Sequence, residues 1–318
     1  MGQPRGVTGR SPLPPPLDVG AFRVGDGLRQ GLSRDRMRAT DLARPFWGIR
    51  VAASGTLSTL ERCSAILQRM PPGAFFSHHT AALIVGIPLP LSLSEQVEVH
   101  IGVAAPARSL RSTGIVGHAL RLDHAELQRW HGLPVTSPAR TWCDLATALT
   151  LRQLVAAGDY LIHWRMPLVT LPELTLAVEQ HAGRRGHALL RQALPLLSDR
   201  SESPPESEVR VIVITHGLPQ PLVNHPIHDR YGRLIARADL YFKDYGELVE
   251  YEGDHHRTDL AQWRRDLTRT ADIEAEGLHV TRVNADDLRQ EVTLAGRIAA
   301  NLRRRGWTGQ VRPPKRQL

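Results

Sequence analysis

The chain has 318 residues, 42% hydrophobic and 23% charged, which are proportions of a globular protein with room for two or three domains. No uninterrupted apolar stretch reaches membrane-spanning length and no signal-peptide core is visible, so the composition excludes a membrane-embedded protein and the expected location is cytoplasmic. The formal charge of +8 is uneven, with 18 basic and 18 acidic residues from position 201 onward and the remaining 22 basic and 14 acidic before it. A basic front and a balanced rear suit a protein that captures a polyanion with one part and works on it with another. A codon bias toward arginine produces the same excess, and the only lysines are Lys243 and Lys315. Cys63 and Cys143 lie far apart in apolar surroundings and fit reduced, buried thiols.

Residues 1–20 are rich in proline and glycine and are expected to be disordered. Residues 21–55 read as a small module: a short helix over 24–30, a turn at Gly31-Leu32, and a second helix capped by Ser33 and running to about Thr40. That second helix carries Arg34, Arg36 and Arg38, and residues 44–51 read as a β-wing. Helix, turn, basic helix, wing is the order of a winged helix-turn-helix, whose second helix enters the DNA major groove. A surface helix made basic by codon bias has the same composition. Residues 56–194 form a mixed middle domain, with helices expected over 57–70, 77–85, 137–149 and 151–162 and strands over 97–103 and 115–122. His78 and His79 are neighbours on a helix and point about 100° apart, which favours capping and packing over a shared metal.

Residues 195–205 read as a linker, and a last domain spans 206–300, followed by a basic tail over 301–318. Ser203-Pro204-Pro205-Glu206 matches a capping box with proline at the first helical position, opening a helix that Gly217 stops. Strands over 223–228, 234–242 and 247–252, a helix over 259–276, a strand over 278–283 and a short helix at 286–288 follow. This order, α-β-β-β-α-β-α, describes an α/β (α+β) domain with a mixed sheet flanked by helices.

The chemistry gathers at the hairpin. Strand alternation sets Glu250 and Glu252 on one face, and a short hairpin lays Asp239 across from them. Glutamates on one face with an aspartate opposite repel unless a cation sits there. Three carboxylates beside His255 and His256 make a site for a hard cation, Mg²⁺ or Mn²⁺, and such an ion polarises a phosphodiester and activates water. Asp239 and Glu250 are the first choice as ligands. Glu252 binds directly or through water, and His256 acts as acid/base or holds a phosphate. Glu206 is the remaining candidate, in competition with Glu208, and serves equally well as the capping-box acid. Arg264, Arg265 and Arg269, at helical spacing, line a phosphate track or solvate that face.

These residues carry a resemblance. The segment 203–288 resembles the Vsr-like branch of the PD-(D/E)xK nuclease superfamily, near the very-short-patch-repair endonucleases. The matching pieces are Glu206-Ser207, Ala238-Asp239-Leu240, Val249-Glu250-Tyr251-Glu252-Gly253-Asp254-His255-His256, Trp263-Arg264-Arg265-Asp266, and residues 277–283. The resemblance implies a restriction-endonuclease-like sheet, DNA as substrate, and Asp239 and Glu250 as the two metal-binding acids. The superfamily's lysine position is Glu252 here, so orienting the attacking water falls to the metal or to His256. The front of the chain, at residues 22–51, at Phe76-Ser77-His78-His79-Thr80-Ala81-Ala82 and at residues 132–141, resembles actinobacterial proteins related to AbiEi antitoxins. That resemblance implies a degenerate winged helix, DNA binding, transcriptional autoregulation, and a toxin or defence-system partner.

The leading expectation is a magnesium-dependent DNA endonuclease or nickase with a DNA-binding front. The alternative is a catalytically inactive DNA-binding regulator of the antitoxin type, and a third is an interaction scaffold.

Overall fold

Capped helices and alternating strands assemble here into three β-sheets, distributed over two units, Met1–Thr141 and Trp142–Leu318. The computed structural model describes residues 11–52, 55–253 and 260–313; of His124 and residues 260–267 only the backbone is described. Residues 1–10, the end of the basic tail, and Asp254, His255 and His256 lie outside the described residues. The class is mixed α/β, as expected.

The first unit opens with β1 (Ala21–Arg23), α1 (Val24–Arg29), β2 (Leu42–Ala43) and β3 (Ile49–Ala52), whose antiparallel sheet runs β1-β3-β2 around Leu17, Phe22, Met37 and Leu42. The basic helix expected over 33–40 is instead a single 3-10 turn, Arg36–Arg38. The cause is Arg36, which is buried and donates to both carboxylate oxygens of Asp41 at 3.0 and 2.8 Å and to the Ser11 carbonyl at 2.7 Å. This inward anchor ends the turn, and the helix-turn-helix order gives way to strand, helix, turn and two strands.

Next come α2 (Thr59–Leu67), β4 (Phe75–Phe76), α3 (His78–Val85), α4 (Leu91–Ser94), β5 (Val99–Ala104), β6 (Arg111–Ser112), β7 (Ile115–Leu120), β8 (Leu127–Trp130) and β9 (Leu133–Thr136). A full Ser58–Glu61 capping box starts α2, because each side chain satisfies an orphan N–H of the other's backbone. The six strands form one sheet in the order β6-β7-β5-β4-β9-β8. Its apolar face carries Phe76, Ile101, Val103 and Val135, packed with Ile49, Cys63 and Ile66. β5 and β7 are parallel, with His100 beside Val116 and Gly102 beside His118. Gly102 leaves room for the Phe75 ring; a Cβ there would sit 2.3 Å from a ring carbon. The division between units falls within α5 (Pro138–Leu145).

The second unit contains α6 (Leu151–Ile162), α7 (Leu171–Gln180), α8 (His187–Ala193), α9 (Pro204–Thr215), β10 (Leu222–His228), β11 (Leu234–Phe242), β12 (Glu247–Tyr251), α10 (Leu260–Ala275), β13 (His279–Val283), α11 (Ala285–Arg289) and α12 (Glu291–Arg304). Helices α6 to α8 therefore belong with the C-terminal sheet rather than with the middle region they adjoin in sequence. The sheet runs β10-β11-β12-β13, antiparallel except for the parallel β12–β13 pair. Leu240, Phe242, Val249 and Val283 pack against Val209, Ile212 and Val213 of α9 and Leu294, Ile298 and Leu302 of α12. The stripe on α12 has helical spacing, and each such side chain contributes roughly 1.5–3 kcal/mol on burial. Leu248 packs instead with Ile273 of α10. Among the described residues no helix is long and apolar enough to cross a membrane.

Residues 195–205, expected as a linker, are pinned by a buried carboxylate. Asp159 on α6 is 1% exposed. Its Oδ1 accepts the Ser198 N–H at 2.7 Å, and its Oδ2 accepts the Ser207 hydroxyl at 2.6 Å and the Arg210 guanidinium. Burial outweighs these donors and pushes its carboxyl up to about 6. Removing one partner of such a pair strands the other in a dry interior. Asp159→Ala is therefore expected to destabilise the protein by about 3–5 kcal/mol in urea unfolding, whereas Asp199→Ala, at an exposed neighbouring carboxylate, is expected to leave the midpoint nearly unchanged.

Candidate active site

The register of the C-terminal hairpin sets Leu240 opposite Val249 and Tyr241 opposite Leu248. Asp239 and Glu250 are the next residues of the two strands beyond that ladder, and Glu250 acts on Asp239 as a neighbouring charge. The Tyr251 N–H donates to Asp239 Oδ2 at 2.8 Å, which fixes that side chain and leaves Oδ1 for another ligand. Burial pushes the Asp239 carboxyl up to about 7, and the carboxylates of Glu206 and Glu250 add to the rise against the pull of the Tyr251 N–H and Arg269. Asp239, Glu250 and Glu206 thus share one electrostatic neighbourhood.

Glu206 reaches it from the first turn of α9, where it completes the cap. It accepts the Ser203 hydroxyl at 2.8 Å, the Glu202 N–H at 2.9 Å and the Asn224 amide at 2.9 Å. Glu208, the competing candidate, turns toward α6: its carboxylate lies 3.5 Å from Arg152, and burial raises its carboxyl. Glu250 is buried and ion-paired with Arg269 of α10. Glu252, beyond the end of β12, pairs with Arg282 at 2.8 Å and is half-exposed. The charges acting on Asp239 are Glu206, Glu250 and Arg269, while the partner of Glu252 is Arg282. Among the described residues, Glu206, Asp239 and Glu250 do not form a trio with all donor atoms within 4.8 Å; Asp239 and Glu250 are the pair from adjoining strands, with Glu206 as a flanking charge.

Two cations border this pocket. Arg269 neutralises Glu250, and Arg237, which pairs with Glu202, is held strongly protonated by Glu202, Glu206 and Asp239. Strand alternation on β11 could have pointed to Arg237, which lies two residues before Asp239 on the same face. Arg264 and Arg265 lie on α10, where only their backbone is described. At the other end of β12, Glu247 is wholly buried and accepts from His279 at 2.9 Å and from Thr281, locking β12 to β13.

The expected DNA-contacting arginines separate. Arg34 is exposed, Arg38 is exposed and 3.8 Å from Asp35, and Arg36 is committed to its buried pair. A groove of about 650 Å³ in the same module is lined instead by Arg23, Arg29, Arg44, Arg50, Arg69 and Trp47. The Arg69 guanidinium lies 4.8 Å from the centroid of the exposed Trp47 ring. These arginines are scattered over 47 positions of sequence, and no spacing rule links them.

No family model matches the sequence. Two proteins of Mycobacterium tuberculosis do: Rv2248 of strain H37Rv and MT2308 of strain CDC 1551, both designated uncharacterized. Each is 32% identical over 270 residues, covering 84% of this chain and 95% of the mycobacterial protein. The chain belongs to the family of these two proteins.

Proposed function

We propose that the C-terminal unit hydrolyses phosphodiester bonds in DNA with the help of a divalent cation, Mg²⁺ or Mn²⁺, held by Asp239 and Glu250. The observation that carries this reading is the convergence of Asp239 and Glu250 from the adjoining strands β11 and β12 just beyond their Leu240–Val249 pair, with the Tyr251 N–H holding Asp239 and Glu206 near enough to raise it. Two protein ligands suffice for an ion that retains most of its water shell. The fit lies in the charge: a buried acid lifted by two like-charged neighbours is relieved by a cation among them. When bound, such an ion polarises the phosphorus and activates water.

The chain's own residues divide the remaining work. Asp239 is oriented by the Tyr251 N–H, so Oδ1 is presented without a rotamer search. Arg237 and Arg269 supply guanidinium groups to the non-bridging oxygens of the phosphate, a geometry the planar fork suits. Glu206 keeps the site acidic while capping α9. His256, outside the described residues, is the proton-transfer group in this reading. Capture of DNA falls to the arginine groove beside Trp47, which combines phosphate contacts with a stacking surface.

One set of contacts favours a second reading, in which the nuclease-like domain is inactive and the protein is a DNA-binding regulator. Glu250 already has Arg269, Glu252 has Arg282, and Glu206 is occupied by its cap. In that reading the ion pairs are permanent and no cation enters.

Two measurements separate these readings, and a third tests the DNA capture common to both. Mg²⁺-dependent nicking of plasmid DNA is expected, with Asp239→Ala and Glu250→Ala each lowering the rate at least about a hundredfold; DNA binding without cutting under Mg²⁺ or Mn²⁺ selects the regulator. Stability supplies the second. Asp239 holds its proton up to about pH 7 when folded and to about pH 4 when unfolded. Stability therefore falls as pH rises between those values and is level above them. Asp239→Asn, which keeps the acceptor for the Tyr251 N–H, is expected to raise the melting temperature at pH 8 relative to the parent and to be nearly neutral at pH 4. Mg²⁺ at pH 8 should raise the parent's melting temperature and leave that of the asparagine variant unmoved. Third, Arg29→Gln and Arg44→Gln should each reduce the salt slope of DNA binding by about 1, while Arg36→Ala should lower the melting temperature of the protein by leaving Asp41 without its buried partner.

A further inference from the structure

Four histidines of the first unit converge from three elements. His78 is the first residue of α3, with His79 beside it; His100 stands on β5 and His118 on β7. Because His100 pairs with Val116 and Gly102 with His118 in a parallel ladder, His100 and His118 are diagonal neighbours on one face of the sheet. The start of α3 is tied to β5 at His100. The Ser77 N–H donates to the His100 carbonyl at 3.1 Å, and the His100 N–H donates to the Thr80 hydroxyl at 2.8 Å. These bonds bring the His78 ring to a stacked 3.8 Å from His118 and 5.6 Å from His100. Among the described residues, His78, His100 and His118 are the one trio of ligand-type side chains whose donor atoms all lie within 4.8 Å of one another.

We propose that His78, His100 and His118 bind a borderline divalent transition-metal ion, Zn²⁺ in the first place, with three imidazole nitrogens and one position open to solvent. His118 Nε2 and His100 Nδ1 already face each other at 3.0 Å, close to the ~3.3 Å between ligands of a tetrahedral zinc with bonds of about 2.0–2.1 Å. The proton now shared between them moves to the other nitrogen of the donating ring when the ion takes its place, so neither imidazole changes charge. Ser77 Oγ lies 3.0 Å from His78 Nδ1, which leaves Nε2 of that ring as the metal-facing nitrogen. A hydroxyl on the distal nitrogen is the usual device for fixing tautomer and orientation of a metal-binding histidine.

Three further features support the assignment. Ser77 stands at the N-cap of α3 but makes no side-chain cap; its hydroxyl serves the imidazole instead. His78 has φ of +52°, in the left-handed region, where a non-glycine residue persists only if its surroundings require it. The centroids of the His100 and His118 rings lie 4.9 Å apart, and all three side chains come from regular elements of the first unit. An all-imidazole set selects zinc, nickel, cobalt or copper over magnesium or calcium. The site is separate in residues and in chemistry from the carboxylates of the other unit, and its test does not depend on nuclease activity.

The test uses untagged full-length protein, stripped with chelator, reloaded with Zn²⁺, and passed through gel filtration. One zinc per chain is expected by elemental analysis. The parent's melting temperature should rise with added Zn²⁺, and Co²⁺ substitution should give the intense visible absorption of a tetrahedral site. His100→Gln and His118→Gln should each lose the bound metal and the cobalt spectrum, Ser77→Ala should weaken zinc binding about tenfold, and His131→Gln, at an exposed histidine outside the cluster, should bind like the parent. Failure of the parent to retain zinc, or retention undiminished in both His100→Gln and His118→Gln, overturns the proposal. Should either variant fold poorly, the parent's Co²⁺ spectrum decides, since octahedral or absent absorption is equally contrary to it.

Discussion

A carboxylate taken out of water loses several kcal/mol of solvation, and the second unit is arranged so that Asp159 does not face that loss alone. Its three donors come from two stretches of chain, Ser198 ahead of α9 and Ser207 and Arg210 within it. Satisfying one buried charge therefore fixes how α9 leaves α6, and with it the segment between them. That has a consequence for the site. Glu206 lies one residue before Ser207, so the pair that locks α9 also sets where the acidic end of that helix meets the sheet. The carboxylate cluster is a product of this packing as much as of the hairpin that carries Asp239 and Glu250.

The cluster itself holds two opposed tendencies. Burial raises the Asp239 carboxyl first, and its neighbours Glu206 and Glu250 add repulsion to it. Arg269 and Arg237 offset part of that repulsion from either side. Each guanidinium carries one charge on a flexible stem, and Arg269 and Arg237 are each 38% exposed. In the proposed nuclease reading they exchange a carboxylate for a phosphate without crossing the interior. An internal ion pair of this kind holds an acidic pocket together in the absence of ligand and gives way to a stronger counter-charge. The two functional readings differ only in whether that exchange takes place.

What could be read beforehand follows the range of the signal. The Ser203 N-cap, the end of α9 at Gly217 and the β11–β12 hairpin all depend on residues a few positions apart and are present as expected, although Glu206 turns to the Glu202 N–H and so does not close the reciprocal box. Asp239 and Glu250 met because hairpin register is a local property. The partner of Glu252, Arg282, arrives on β13, a strand whose parallel pairing with β12 no local pattern announces. The same limit hid the histidine cluster: His100 and His118 are neighbours through the parallel β5–β7 register, and nothing near His78 in sequence announces that it meets them. Arg36 misled in another way. A basic residue among basic residues reads as surface, whereas here an aspartate five positions on draws it inward and shortens the helix to a turn. Helix α12 spans residues for which no element was expected and the start of the expected basic tail, and it carries an apolar stripe whose role appears only once the sheet face it covers is known.

The extent of the family match bears on how the two units relate in function. An aligned stretch of 270 residues is longer than either unit, since the division falls after Thr141 of 318. Both units therefore occur together in the mycobacterial relatives, as parts of one chain. Covalent linkage turns a second binding event into an intramolecular one, at an effective concentration set by the connection rather than by the cell. A groove of arginines gains most from such linkage when the other unit acts on the same polyanion, because phosphate contacts hold DNA without regard to sequence and deliver it to whatever is attached. In the reading proposed above, that linkage offsets the repulsion between a polyanion and a cluster of carboxylates, because a polyanion bound through the arginines of one unit stays at high effective concentration for the other.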